Sequence, residues 1–155
     1  MQAKRIIIAG GTGSVGQSLQ NHFRQQALVK AGETVSFVVL TRSKRGTLCS
    51  PGLSFMTWDE LKRDGLPDCH AVVNLTGANI VQSLWSKTGR VYSSRIDTTR
   101  TLVDAMTKNP PKAFVSGSAV GIYPNNTKEP FDEYSPLTPY DQMGFAQQLV
   151  FDWEA

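Results

Sequence analysis

The run Ala9-Gly10-Gly11-Thr12-Gly13-Ser14-Val15-Gly16 carries the most specific chemistry in this 155-residue chain. It fits Gly-x-Gly-x-x-Gly through Gly11, Gly13 and Gly16, and Gly-x-x-Gly-x-x-Gly through Gly10, Gly13 and Gly16. Glycines so spaced allow a tight turn off a strand, a close approach of backbone amides to a pyrophosphate, and close packing of the next helix on the sheet. The amides and positive dipole end of a helix beginning near Ser14 would then hold the anion. A glycine pattern alone is weak evidence. Here the buried-strand run Lys-Arg-Ile-Ile-Ile-Ala precedes it and a helical stripe follows, which is the context a dinucleotide site requires. A purely structural glycine turn is the other reading.

The tip of the second strand distinguishes between cofactors. An NAD site places Asp or Glu there, about 20 residues on, to hold the ribose 2′-hydroxyl. In this chain Thr41-Arg42-Ser43 follows Leu40, and no acid occurs between Glu33 and Asp59. Arg42 offers a planar, permanently charged fork to a 2′-phosphate, and Thr41 or Ser43 adds a hydroxyl. The expected cofactor is therefore NADP or NADPH, against the plainer reading of Arg42, Lys44 and Arg45 as a solvated loop. Cys49 and Cys69 form neither a CxxC pair nor a His/Cys cluster, so no metal site is expected and a reducing compartment suits them. Asn74-Leu75-Thr76 and Asn125-Asn126-Thr127 match the glycosylation pattern and are read as accidental.

The elements that must position these residues alternate. Apolar runs predict strands over residues 4–9, 34–40, 53–56, 71–75 and 113–116, the first of them buried on both faces. Between them, Val15, Leu19, Phe23 and Ala27 mark one helix, stopped by Ala31-Gly32. A basic loop covers residues 41–50, a helical turn surrounds Trp58-Asp59-Glu60-Leu61, and Gly65-Leu66-Pro67 breaks that turn. Residues 77–90 read as loop with some helix. Ile96, Thr99, Val103 and Met106, with Leu102, mark a helix over residues 93–108, ended by Asn109-Pro110-Pro111. Residues 124–139, with four prolines, read as a long loop, and Phe145, Leu149 and Trp153 mark a last helix. The expected fold class is α/β, a Rossmann-like doubly wound parallel sheet with helices on both faces.

The last helix has no stop signal, and a dinucleotide fold of this type usually has six strands. The expectation is one NADP-binding domain over residues 1–155, the amino-terminal portion of something longer, whose substrate-binding part lies beyond residue 155. A compact variant with a fraying tail is the alternative. Sixteen Lys and Arg against thirteen Asp and Glu give +3, scattered along the chain, so no nucleic-acid partner is expected. The longest apolar runs fall far short of the ~18 residues of a membrane helix. The first strand also leaves no room for the ~7–15-residue apolar region of a signal peptide, so a soluble cytoplasmic unit is the default.

Beyond the glycine run, Leu40-Thr41-Arg42, Trp58-Asp59-Glu60-Leu61, Asn74-Leu75-Thr76-Gly77, Ser94-Arg95-Ile96, Phe114-Val115-Ser116-Gly117-Ser118-Ala119 and Trp153-Glu154-Ala155 occur in order. Together they resemble the epimerase family proteins, a group of atypical short-chain dehydrogenases/reductases. The resemblance implies that Gly10, Gly11, Thr12, Gly13, Ser14, Val15 and Gly16 hold a pyrophosphate and that Thr41 and Arg42 hold the adenosine ribose phosphate. It also implies that Leu75, Thr76 and Gly77 line the adenine and ribose side, and that Arg95 reaches the cofactor. An arginine solvated beside Asp97 is an equal reading of that last residue. The implied catalytic serine is Ser118, which is read equally as a hydroxyl capping the strand end.

The family's Tyr-x-x-x-Lys dyad has no counterpart. Registering Phe145 and Trp153 on the family's helix puts Gly144 and Gln148 at the two positions, whereas starting from Pro139-Tyr140 puts Gly144 at the lysine. An unassisted tyrosine titrates near ~10, far from the near-neutral value of a general acid/base. Tyr123 is the substitute candidate, with packing against its loop as the rival role. The functional expectation is an NADP(H)-binding oxidoreductase or epimerase-like protein with an unidentified small-molecule substrate. The alternative is a non-catalytic NADP(H)-binding sensor or scaffold, and the 155-residue chain alone is expected to show no turnover.

Overall fold

The computed structural model describes residues 4–29, 34–44, 49–80, 88–125 and 130–155, with no account of the side chains of residues 27–29 and 88. The strands are β1 (Lys4–Ala9), β2 (Val35–Thr41), β3 (Leu53–Thr57), β4 (Ala71–Asn74) and β5 (Ala113–Ser116). The helices are α1 (Ser14–Val29), α2 (Trp58–Asp64), α3 (Thr88–Ser93), α4 (Ile96–Met106) and α5 (Phe145–Glu154), with 3₁₀ turns at Val120–Ile122 and Tyr140–Gln142.

All pairings are parallel, in the order β3-β2-β1-β4-β5. The order reverses beside β1, because the chain winds outward through β2 and β3 and returns to add β4 on the other flank. Such a reversal opens a crevice at the carboxyl ends of the strands. Alternate residues of the central strands serve opposite faces. Ile6, Ile8 and Phe37 pack with Leu19 and Phe23 of α1, while Ile7, Ala9, Val38, Leu40 and Val72 pack with Leu61 of α2 and with Leu102 and Met106 of α4. The α/β class, parallel sheet and two covered faces are those expected.

Several boundaries and faces differ from expectation. The turn around Trp58 is a helix, because Thr57 and Glu60 form a reciprocal cap: the Glu60 amide donates to Thr57 Oγ1 at 3.2 Å and the Thr57 amide to Glu60 Oε2 at 2.8 Å. Gly65, at φ 81°, ends it. The predicted 93–108 helix is interrupted by a turn at Ser94-Arg95, so α3 precedes it and α4 starts at Ile96. Its buried side is Ile96, Leu102 and Met106, whereas Val103 is 44% exposed. Val15 is 65% exposed, because the first turn of α1 stands at the crevice mouth. Phe145 is exposed too, and Leu149 and Val150 supply the buried side of α5. The edge strand β5 leaves Phe114 and Val115 exposed. The predicted stop at Ala31-Gly32 and residues 81–87 of the ambiguous 77–90 stretch lie outside the described residues. Among the described residues, no helix is long and apolar enough to cross a membrane.

Candidate cofactor crevice

The sheet register lines up Leu40, Ala9, Asn74 and Ser116 across β2, β1, β4 and β5. The glycine loop, Thr41-Arg42 and Leu75-Thr76-Gly77 follow directly on that row, whereas Arg95 sits at the turn between α3 and α4. Gly10 takes φ 79°, and a Cβ there would sit 2.6 Å from the Leu75 carbonyl oxygen. Neither the dihedral nor the space admits a side chain. Gly16 has an ordinary backbone, but its Cβ would fall 2.6 Å from Gly11 Cα and 2.7 Å from the Gly10 oxygen. The close approach that Gly16 permits is thus between helix and loop, whereas the motif alone predicted helix against sheet. The Gly13 amide donates to the Gly10 oxygen at 3.0 Å and closes the turn.

The first backbone bond of α1 runs from Gln17 N to Gly13 O, at 2.9 Å. The amides of Ser14, Val15 and Gly16 therefore precede the helical ladder, and among the described residues no protein acceptor takes them. Thr12, Gly13, Ser14 and Val15 are exposed around those amides. Three free N–H groups at the positive end of a 16-residue helix make an anion seat, and glycines keep its floor bare of side chains. These residues fit a dinucleotide pyrophosphate.

Two residues that brace the seat went unnoticed in the sequence. Gln20, only 6% exposed, donates from Nε2 to the Gly11 oxygen at 2.7 Å and to the Gly16 oxygen at 3.0 Å. Gln17 Nε2 donates to the Thr12 oxygen at 2.7 Å. The readable signal was a glutamine one turn past Gly16 and beside Leu19, on a side of α1 that must face inward. Asn74 is fully buried, which closes it to glycosylation in this fold. Its Nδ2 donates to Thr99 Oγ1 at 2.8 Å and Ser116 Oγ at 3.2 Å, and its Oδ1 accepts from the Thr76 amide at 3.2 Å and the Thr76 hydroxyl at 2.6 Å. Its four hydrogen bonds use the full capacity of a carboxamide. A polar residue ending the run Ala71-Val72-Val73 was the signal.

The structure brings Leu75, Thr76 and Gly77 against the glycine loop: the Leu75 amide donates to the Ala9 oxygen at 2.9 Å. Arg95 lies behind Gly77, with its Nη2 3.0 Å from where a Gly77 Cβ would be. Its Nη1 donates to the carbonyls of Val91 (3.1 Å) and Ala78 (3.3 Å), and the guanidinium stacks over Trp153 at 5.4 Å. Burial pulls its pKa down. Arg95 holds the crevice wall through these contacts and is not paired with Asp97. At the other end, the Thr41 hydroxyl donates to the Ser43 oxygen at 2.9 Å, while the exposed Arg42 guanidinium meets no partner among the described residues. Lys44 is occupied by Glu60 at 2.7 Å. That contact, ahead of the Thr57 bonds, lowers the Glu60 pKa to about 2.

Ser118 and Tyr123 line one cleft of about 520 Å³ at the β5 end, together with Glu133 and Glu154. The Ser118 hydroxyl donates to Glu154 and accepts from the Ala119 amide at 2.6 Å. The Tyr123 hydroxyl is turned to the Asp132 carbonyl at 2.9 Å and its ring stacks on Phe131, the packing role. Tyr140 donates to Asp152 at 3.2 Å, and desolvation, then that bond and charge, raise its pKa, the reverse of what an acid/base needs. Gly144 caps α5, and Gln148 donates to the Tyr140 carbonyl at 3.2 Å. Among the described residues no group of three or more His, Cys, Asp or Glu is placed to hold a metal.

The NAD-dependent epimerase/dehydratase family model matches residues 6–153. The human epimerase family protein SDR39U1 is 39% identical over 97% of this chain and 48% of its own length. A Staphylococcus haemolyticus epimerase family protein is 31% identical over 97% of this chain and 48% of its own length. The crystal structure of the human protein (isoform 2) with NADPH superposes with a TM-score of 0.75 at 36% identity, covering 97% of this chain and 47% of that one. The chain thus spans about half the length of the relatives it matches. With nearly all of its residues under one family model, and its fold shared with such a relative, the chain belongs to the NAD-dependent epimerase/dehydratase family.

Proposed function

We propose that this chain forms the NADP(H)-binding part of an oxidoreductase or epimerase-like enzyme acting on a small-molecule substrate. The observation that carries the reading is the glycine seat: among the described residues no protein acceptor takes the amides of Ser14, Val15 and Gly16, and backbone packs too closely on Gly10 and Gly16 for either to carry a Cβ. Gly10, Gly11, Thr12, Gly13, Ser14, Val15 and Gly16 hold the pyrophosphate. The free Arg42 fork, beside Thr41, takes the 2′-phosphate. Leu75, Thr76 and Gly77 line the adenine and ribose side, with Arg95 fixing that wall from behind. When bound, the nicotinamide supplies hydride transfer. The human relative's NADPH complex supports the choice of cofactor. The free cysteines Cys49 and Cys69 suit a reducing compartment, and the cytosol is the compartment of this reading.

The test is binding of NADPH and NADH to the wild-type protein and to Arg42→Ala, by fluorescence titration. NADPH binding the wild type at least tenfold more tightly than NADH supports the assignment. Equal affinities, or equal losses on Arg42→Ala, overturn it. A second reading, a non-catalytic NADP(H) sensor or scaffold, is favoured by the absence of Tyr-x-x-x-Lys in either register of α5. Steady NADPH consumption by the full-length protein against a panel of carbonyl compounds would rule it out.

A further inference from the structure

Ser118 leaves the sheet two residues past Ser116, which is in line with Asn74 on β4 and Ala9 on β1. With strands about 4.8 Å apart, the Ser118 loop lies roughly 10 Å along the sheet edge from the glycine loop. Both are on the carboxyl side, where a doubly wound sheet takes its ligand. A hydroxyl has one donor and two acceptor sites. Ser118 donates to Glu154 and accepts from the Ala119 amide, so one acceptor site stays free at the cleft.

Glu154 is held there by its neighbour. The Trp153 ring lies 3.4 Å from where a Gly117 Cβ would be, its Nε1 donates to Thr99 at 3.0 Å, and Arg95 stacks on its face. Trp153 against Gly117 sets Glu154 against Ser118. The Thr99 hydroxyl that anchors Trp153 also accepts from Asn74, so one polar network fixes both the crevice floor and the carboxylate.

We propose that Ser118 and Glu154 form a proton relay for a carbonyl or secondary-alcohol substrate, in place of a Tyr-x-x-x-Lys dyad. The inference rests on the proposed NADP(H) function. Ser118 touches the substrate oxygen, and Glu154 is a positioning residue that acts through it. In oxidation, the alcohol carbon gives hydride to the oxidised nicotinamide, and the alcohol O–H passes its proton to the free acceptor site of Ser118 Oγ. Ser118 passes its own proton to the Glu154 carboxylate, which releases it to solvent. Reduction of the carbonyl runs the same transfers backward. Of the other titratable groups nearby, Glu133 and Tyr123 line the same cleft, Arg95 stacks on Trp153, and Asp152 accepts from Tyr92 and Tyr140.

The test has a spectroscopic arm and a kinetic one. The Ala119 amide, which donates to Ser118, is followed by NMR from about pH 7 to about pH 3, across the carboxylate range. Its signal should titrate in the wild type and in Glu133→Gln, and stop titrating in Glu154→Gln and in Ser118→Ala. A titration that survives Glu154→Gln, or that disappears with Glu133→Gln, overturns the relay. NADPH oxidation is then measured in the full-length protein, since the 155-residue chain alone is expected to show no turnover, against aliphatic and aromatic aldehydes and ketones. The wild type should turn over, and Ser118→Ala and Glu154→Gln should each lose roughly 100-fold in kcat with the NADPH Kd unchanged. Undiminished kcat in Glu154→Gln sinks the proposal. A wild type that binds NADPH but oxidises none of it also sinks the relay, while leaving the cofactor assignment intact. Failure to bind NADPH removes both.

Discussion

Single side chains decide whether the crevice exists and what it prefers. Gly10→Ala puts a Cβ 2.6 Å from a backbone oxygen at φ 79°, so it should cost more than about 2 kcal/mol in urea unfolding. Arg42→Ala removes no contact among the described residues, so stability should hold while NADPH affinity falls about 10- to 100-fold, the value of a charge-assisted bond, and NADH affinity stays level. Asn74→Ala strands the Thr76 amide in a part-buried setting and should destabilise by about 1–3 kcal/mol. The glycines and Arg42 were legible in the sequence because their chemistry is local: spacing, and the residue type at a strand tip. Gln20 and Asn74 were not, because a buried carboxamide is recognised only by the partners that the fold brings to it.

Among the elements, α2 owes its length to its first turn. Thr57→Ala removes the acceptor for the Glu60 amide and should cost about 1 kcal/mol. The Glu60 pKa, lowered to about 2 chiefly by Lys44, lies below its unfolded value. That contribution is therefore complete above the unfolded pKa of about 4.3 and is lost as pH falls toward about 2. Urea midpoints of the wild type and Glu60→Gln should differ at neutral pH and converge near pH 2, and high salt should shrink the difference. The strands were readable from their apolar runs, and the doubly wound class from their alternation with helices; the order β3-β2-β1-β4-β5 came only with the fold. The α3–α4 break was not, since Ser94 and Arg95 have no breaker signature. They leave the helical path because Arg95 is drawn to the Val91 and Ala78 carbonyls and to Trp153.

For the whole molecule, ligand and fold are linked. NADPH at 100 times its Kd should add about 2.7 kcal/mol of stability. For a domain of this size that is a rise in Tm of roughly 5–10 °C, readable by differential scanning fluorimetry. NADH at the same concentration should give a smaller rise. The stabilisation should depend on the network that joins Asn74, Thr99 and Trp153, because it ties α5 to the crevice floor. Exposed Phe114 and Val115 leave β5 the least protected strand, so hydrogen exchange should be fastest there.

The sequence by itself determined the α/β class and the glycine run, and marked Arg42 as the candidate for a 2′-phosphate, because alternation, glycine spacing and a missing acid are properties of neighbouring residues. Only the tertiary structure decided which polar groups brace that seat, that Arg95 is spent on the wall behind Gly77, and that Glu154 meets Ser118. The last two pairs lie 18 and 36 positions apart along the chain. No local pattern records them, since each contact exists only where parallel strands and the helices across them converge at one edge of the sheet.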